Sequence, residues 1–178
     1  DRFLFLLRNF PSGKTPWLTT LMVGDRTGQV RPVLRATYVS HYYWLSATEI
    51  VAHCTVPALS EKKSMYRLNV LTGAATEYDM PYFGQYPNGD IHCRLSADGE
   101  AIIGDGYEFG GYRRLMEYRI ATGESRELFA ARSPKPGCLD IRCDLHARPV
   151  SGGWVSYDTT ENGKREVAAV RRKAGLNG

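Results

Sequence analysis

Two stretches of this chain carry the same triplet of chemically active residues. Asp90-Ile91-His92-Cys93-Arg94 returns 54 positions later as Asp144-Leu145-His146-Ala147-Arg148, both reading D-x-H-x-R. A partial copy, Val39-Ser40-His41-Tyr42-Tyr43, lies 51 positions before the first. Side chains alternate between the faces of a strand, so Asp, His and Arg of each stretch are expected on one face. An imidazole titrating near neutrality serves as a base or a metal ligand. A guanidinium fork grips a carboxylate through two parallel hydrogen bonds. Three of the four histidines, His41, His92 and His146, occupy these matching places.

What positions them is a repeat of short strands. Apolar runs and turn residues predict strands over 3–8, 17–23, 29–34, 38–44, 49–55, 64–70 and 75–79, with 56–63 as a loop. The series continues over 90–95, 100–104, 112–120, 124–130, 144–150, 154–158 and 165–170. No segment shows the 3.6-residue apolar period of a helix, so the fold class is all-β. Thr-Gly turns recur at Gly28, Gly73 and Gly123, and first-turn serines at Ser46, Ser96 and Ser151. Four strands repeating at this period are the pattern of β-propeller blades. The blades fall at about 1–34, 35–80, 88–131 and 141–170, before a polar tail at 171–178. The first strand of each blade lines a propeller's channel, so the repeat aims the three imidazoles at one axis. Arg94 and Arg148 share their faces, and Tyr43 holds that place beside His41. Asp90 and Asp144 are expected to orient the imidazoles.

Composition bounds the reading. The chain has 178 residues, 43% apolar and 24% charged, which suits a soluble globular domain. No apolar run reaches membrane-spanning length, so no membrane partner is expected. The formal charge of +4 is too scattered for nucleic acid but favours an anionic ligand. Cys54, Cys93, Cys138 and Cys143 form no C-x-x-C pair. They read as buried thiols of a reducing, cytoplasmic compartment, with a Cys138–Cys143 pairing across a loop as the other option. The chain opens on what reads as the second strand of a blade and ends on the third strand of another. The expectation is about four blades or part-blades of a larger ring, completed by a missing segment or by self-association.

Leu95 to Asp105, LSADGEAIIGD, resembles the Tol-type propeller repeat W-S-P-D-G-K-x-I/L-A-F. Arg142 to Val167, RCDLHARPVSGGWVSYDTTENGKREV, resembles the closing blade of the oligogalacturonate lyase group, D-L-H-P-R-W-S-x-D-G-x-x-V-x-F-D-S. The resemblance covers roughly residues 35–170. It implies a seven-bladed propeller with manganese in its channel, held by three His and one Gln. It also implies β-elimination on pectin-derived uronate oligomers with a histidine as base. Carried over, His92 and His146 match metal-ligand positions, and His41 is the candidate base. Arg94 and Arg148 join His41 as catalytic groups, and Arg94, Arg148, Arg142 and Tyr43 bind the acidic oligosaccharide. The family's Gln three residues before the matched His, and its second His two after, are here Cys143 and Arg148. The residues leave two readings open: a lyase-like enzyme, or a non-catalytic propeller binding sugars or protein partners.

Overall fold

The strands form where apolar runs meet glycine turns, and the computed structural model describes them over residues 1–9, 18–80, 90–133 and 143–172. The chain divides into two units, Asp1–Tyr78 and Asp79–Gly178. In the first, β1 (Arg2–Asn9), β2 (Leu18–Asp25) and β3 (Val30–Ala36) form a sheet in that order. β4 (Val39–Trp44), β5 (Glu49–Val56), β6 (Ser60–Asn69) and β7 (Ala75–Tyr78) form another. In the second unit, β8 (His92–Leu95), β9 (Ala101–Asp105), β10 (Tyr112–Arg119) and β11 (Ser125–Arg132) make a four-stranded sheet with β8 at its edge. β12 (Arg148–Val150), β13 (Trp154–Thr159) and β14 (Glu166–Arg171) make a three-stranded sheet with β12 at its edge. All neighbouring strands are antiparallel.

Burial follows from composition. β5 and β9 lie inside their sheets, and their runs EIVAHCTV and AIIGD are buried almost throughout. A strand covered on both faces reads as a continuous apolar run rather than an alternation. At the other extreme, β14 is an edge strand whose burial alternates residue by residue. Among the described residues, an apolar cluster lies in each unit. In the first, Leu21, Ile50, Ala52, Tyr66 and Leu68 meet with Leu4, Leu6 and Leu34 against them. In the second, Ile103 and Leu115 pack with Leu145, Ala147, Val155 and Tyr157, joining the two sheets of that unit. Each fully buried Ile or Leu contributes about 1.5–3 kcal/mol.

The Thr-Gly turns have a backbone cause. Gly73 and Gly123 adopt φ of 75° and 72°, a left-handed conformation that costs glycine little. Their amides return to the carbonyls of Asn69 and Arg119 at 2.8 and 2.9 Å. Two of the serine turns are pinned by side chains: the Ser96 hydroxyl accepts from the Ala101 amide at 2.9 Å, and the Ser46 hydroxyl from the Glu49 amide at 3.2 Å.

Two expectations are corrected. The stretch 56–63 is not all loop, because β6 starts at Ser60 and pairs Val56 with Ser60. The exposed Glu61, Lys62 and Lys63 hide that strand in the sequence. The stretch 144–150 is not all strand, because β12 begins only at Arg148. Cys54, Cys93 and Cys143 are free thiols, and burial pushes Cys54 and Cys93 up to about 12. Cys138 lies outside the described residues. Among those residues no helix is long and apolar enough to cross a membrane.

Candidate metal centre

β8 brings His92 to the edge of its sheet, opposite Asp105 at the end of β9. Asp105 is fully buried. His92 Nδ1 lies 3.2 Å from Asp105 Oδ2. A carboxylate only accepts when ionised, and the imidazole nitrogen facing it then donates. The same carboxylate accepts from two backbone amides of the neighbouring sheet's entry segment, Leu145 N at 3.0 Å and Ala147 N at a long 3.5 Å. Between those amides sits His146, whose φ of 44° is the one positive value among the described non-glycine residues. Such a conformation costs a side-chain-bearing residue energy and persists only where its surroundings hold it. The Asp158 amide donating to Leu145 O at 2.8 Å holds the segment from its other side.

The outcome is a pair of imidazoles with ring centroids 4.6 Å apart. Asp144 completes the group: one donor atom each from His92, Asp144 and His146 lie within 4.8 Å of one another. His92 is mostly buried, with the Tyr107 ring edge-on at 6.2 Å. Its burial disfavours the imidazolium, but the Asp105 hydrogen bond and the charges of Asp105, Asp144 and Asp90 outweigh that, so its pKa is raised. Asp144 also forms a buried ion pair with Arg113, Nη1 to Oδ1 at 2.5 Å, and the Arg113 Nε donates to Ser133 Oγ at 3.2 Å. A cleft of about 490 Å³ opens beside the group, lined by Asp144, His146, Cys143, Asp158 and Arg165 among others.

Two imidazole nitrogens and a carboxylate oxygen form a donor set that suits a first-row divalent cation such as manganese. Three protein donors leave coordination positions for other ligands. The residues present therefore fit a metal, with Asp144 as a donor that motif reading assigned to orienting the imidazoles. Asp105 also makes an orienting contact on His92.

The remaining candidates fall in different places. Arg148 directs its fork at Asp158, with Nη1 to Oδ2 at 3.1 Å and Nη2 to Oδ1 as a second, short contact. That contact holds the Asp158 carboxyl below its usual range, and it fills the fork expected for a substrate carboxylate. Asp158 Oδ2 also lies 3.7 Å from His146 Nδ1. Arg94 is exposed and donates to its neighbour's carbonyl, Cys93 O, at 3.2 Å. His41 and Tyr43 stand half-buried on β4, in the first unit, so the group of three is assembled within the second unit without them. Arg142 lies outside the described residues. Asp105, Asp144 and Arg113 are the residues that motif reading missed in these roles.

No protein-family model and no curated protein sequence matches the chain. Solved structures do. TolB from Acinetobacter baumannii superposes with a TM-score of 0.69 at 16% identity, over 98% of this chain and 42% of that one. An oligogalacturonate lyase in complex with manganese superposes with a TM-score of 0.51 at 16% identity, over 92% of this chain and 45% of that one. The chain thus spans less than half the length of either. At this identity the likeness shows the fold, that of β-propeller proteins.

Proposed function

We propose that this chain carries a divalent-cation site serving β-elimination on uronate oligomers, in the manner of an oligogalacturonate lyase. The observation that supports this reading is the convergence of His92, Asp144 and His146 within 4.8 Å beside an open cleft. When bound, a divalent cation polarises the substrate carboxylate and stabilises the negative charge that grows as the adjacent proton leaves. His92, Asp144 and His146 would hold it, and Asp105 and Arg113 keep His92 and Asp144 in place.

The reaction needs a base for the proton beside the carboxylate, positive charge on that carboxylate, and a proton for the departing glycosidic oxygen. Breaking the C–H bond supplies the electron pair of the new double bond as the C–O bond breaks. By its place in the repeat, His41 is assigned the base, a role that an imidazole side chain commonly fills. Arg94 is assigned to the uronate carboxylate, with Tyr43 and Arg142 as binding residues. Arg148 is assigned to fixing Asp158 beside His146.

A second reading, a non-catalytic module for acidic sugars or protein partners, is favoured by one observation: Asp158 already fills the Arg148 fork. Incubating the chain with manganese and oligogalacturonate separates the two. The lyase reading expects metal-dependent growth of the ultraviolet absorbance of an unsaturated uronate, abolished in His92→Ala. Oligogalacturonate binding without that product would overturn catalysis and leave the binding module.

A further inference from the structure

We infer that Asp105 is the positioning residue for both histidines: it fixes His92 as the Nδ1–H tautomer and holds His146 in its left-handed turn. The inference deepens the metal-site reading, on which the use made of His92 Nε2 rests.

The geometry comes from three contacts on one carboxylate. Asp105 has no exposed surface, so its charge is offset by donors rather than by water. One oxygen takes both the His92 Nδ1 proton and the Leu145 amide, at 3.2 and 3.0 Å, and the other takes the Ala147 amide at 3.5 Å. Amides on either side of a left-handed residue turn toward a common point and form a small anion-binding concavity. Here the occupant of that concavity is a side chain from the adjacent sheet. The consequence for His146 is a φ of 44°, which its own residue type does not favour.

The consequence for His92 is chemical. A neutral imidazole has one N–H and one lone pair, and spending the N–H at Nδ1 leaves the lone pair at Nε2. A carboxylate in this position behind a ligating histidine also raises the ligand's basicity. Asp105 thus sets the donor atom of one histidine and the backbone of the other, and the 4.6 Å ring separation follows from both. A purely packing role for Asp105 makes no demand on the tautomer.

Two measurements test this on the full chain. In the metal-free protein, nitrogen NMR of the histidine rings should show neutral His92 protonated at Nδ1 and bare at Nε2. Finding the Nε2–H tautomer overturns the inference, and needs no variant to fold. In Asp105→Asn, one amide hydrogen of the new side chain must face a donor, so either His92 or the 145–147 amides lose their acceptor. Manganese affinity should fall about 10–100-fold while the far-ultraviolet spectrum is retained. If the wild-type chain binds manganese and the folded variant binds it equally well, Asp105 is not the positioning residue. If the wild-type chain binds no manganese, the metal reading fails, and the tautomer alone decides the role of Asp105.

Discussion

The β4–β5 pair and the β8–β9 pair are matching antiparallel hairpins that carry different residues at one telling position. Trp44 faces Ile50 across the first hairpin, and Leu95 faces Ile102 across the second. Three residues beyond those isoleucines stand His53 and Asp105, both buried. Asp105 accepts from the imidazole opposite it and from amides of the next sheet. His53 has too few lone pairs for that and instead meets the Tyr38 hydroxyl at 3.3 Å, with the rings edge-on. The register of β4 also slips between Val39 and Tyr42, across His41, whereas β8 pairs without a break. One backbone plan therefore yields a donor cluster where a carboxylate stands behind the histidine, and a Tyr–His contact where it does not.

The same matching extends to the third strands and gives the largest expected difference. Glu117 faces Ile103 and Arg67 faces Val51. Glu117 is fully buried and takes Arg172 Nε at 2.9 Å, Arg172 Nη2 at 2.5 Å and Arg126 Nε at 2.5 Å. Removing it leaves those guanidinium contacts without their buried acid, so Glu117→Ala should cost roughly 3–5 kcal/mol in denaturant unfolding. Arg67 pairs with Glu49 on the surface, and Arg67→Ala should cost about 0.5 kcal/mol. Equal losses would break the comparison.

A smaller difference separates the serine turns. Burial works to raise the Asp98 carboxyl, but the Ser96 hydroxyl, the Glu100 amide and Arg172 outweigh it and hold it at about 2 against an ordinary 3.8. The folded form therefore releases its proton more readily than the unfolded chain. Its contribution is complete above the ordinary value and is lost as pH falls from 3.8 through about 2. The Ser46 turn has Thr48 and relies on amides to the serine hydroxyl. Asp98→Asn should flatten the acid limb of a stability–pH profile, and Thr48→Ala should leave its shape unchanged.

Much of the strand layout was legible because each signal was local. Apolar runs such as LTTLMVGD and AIIGD fold as strands, and the Thr-Gly and serine turns fall where their hydrogen bonds require. Asp105 was legible in principle, since counting outward from the 96–99 turn places it opposite His92. As a sequence signal, though, an aspartate closing a strand also reads as a turn cap. The path of 144–147 was not legible. Alternation places Leu145 and Ala147 inward, as found, but the left-handed His146 depends on a carboxylate 40 residues away from Leu145. The Arg148–Asp158 pairing was hidden for a similar reason, because the resemblance gives Arg148 a substrate and the sequence does not show which acid reaches it first.

The proposed divalent-cation site of the second unit rests on His92, Asp144 and His146. It is tested most directly by electron paramagnetic resonance of manganese titrated into the wild-type chain and into His92→Ala, His146→Ala and His53→Ala. The account predicts one bound ion in the wild-type and His53→Ala chains, and loss of binding in the other two. Manganese left free in solution by a folded wild-type chain, or bound as tightly after either of the first two substitutions, would contradict it.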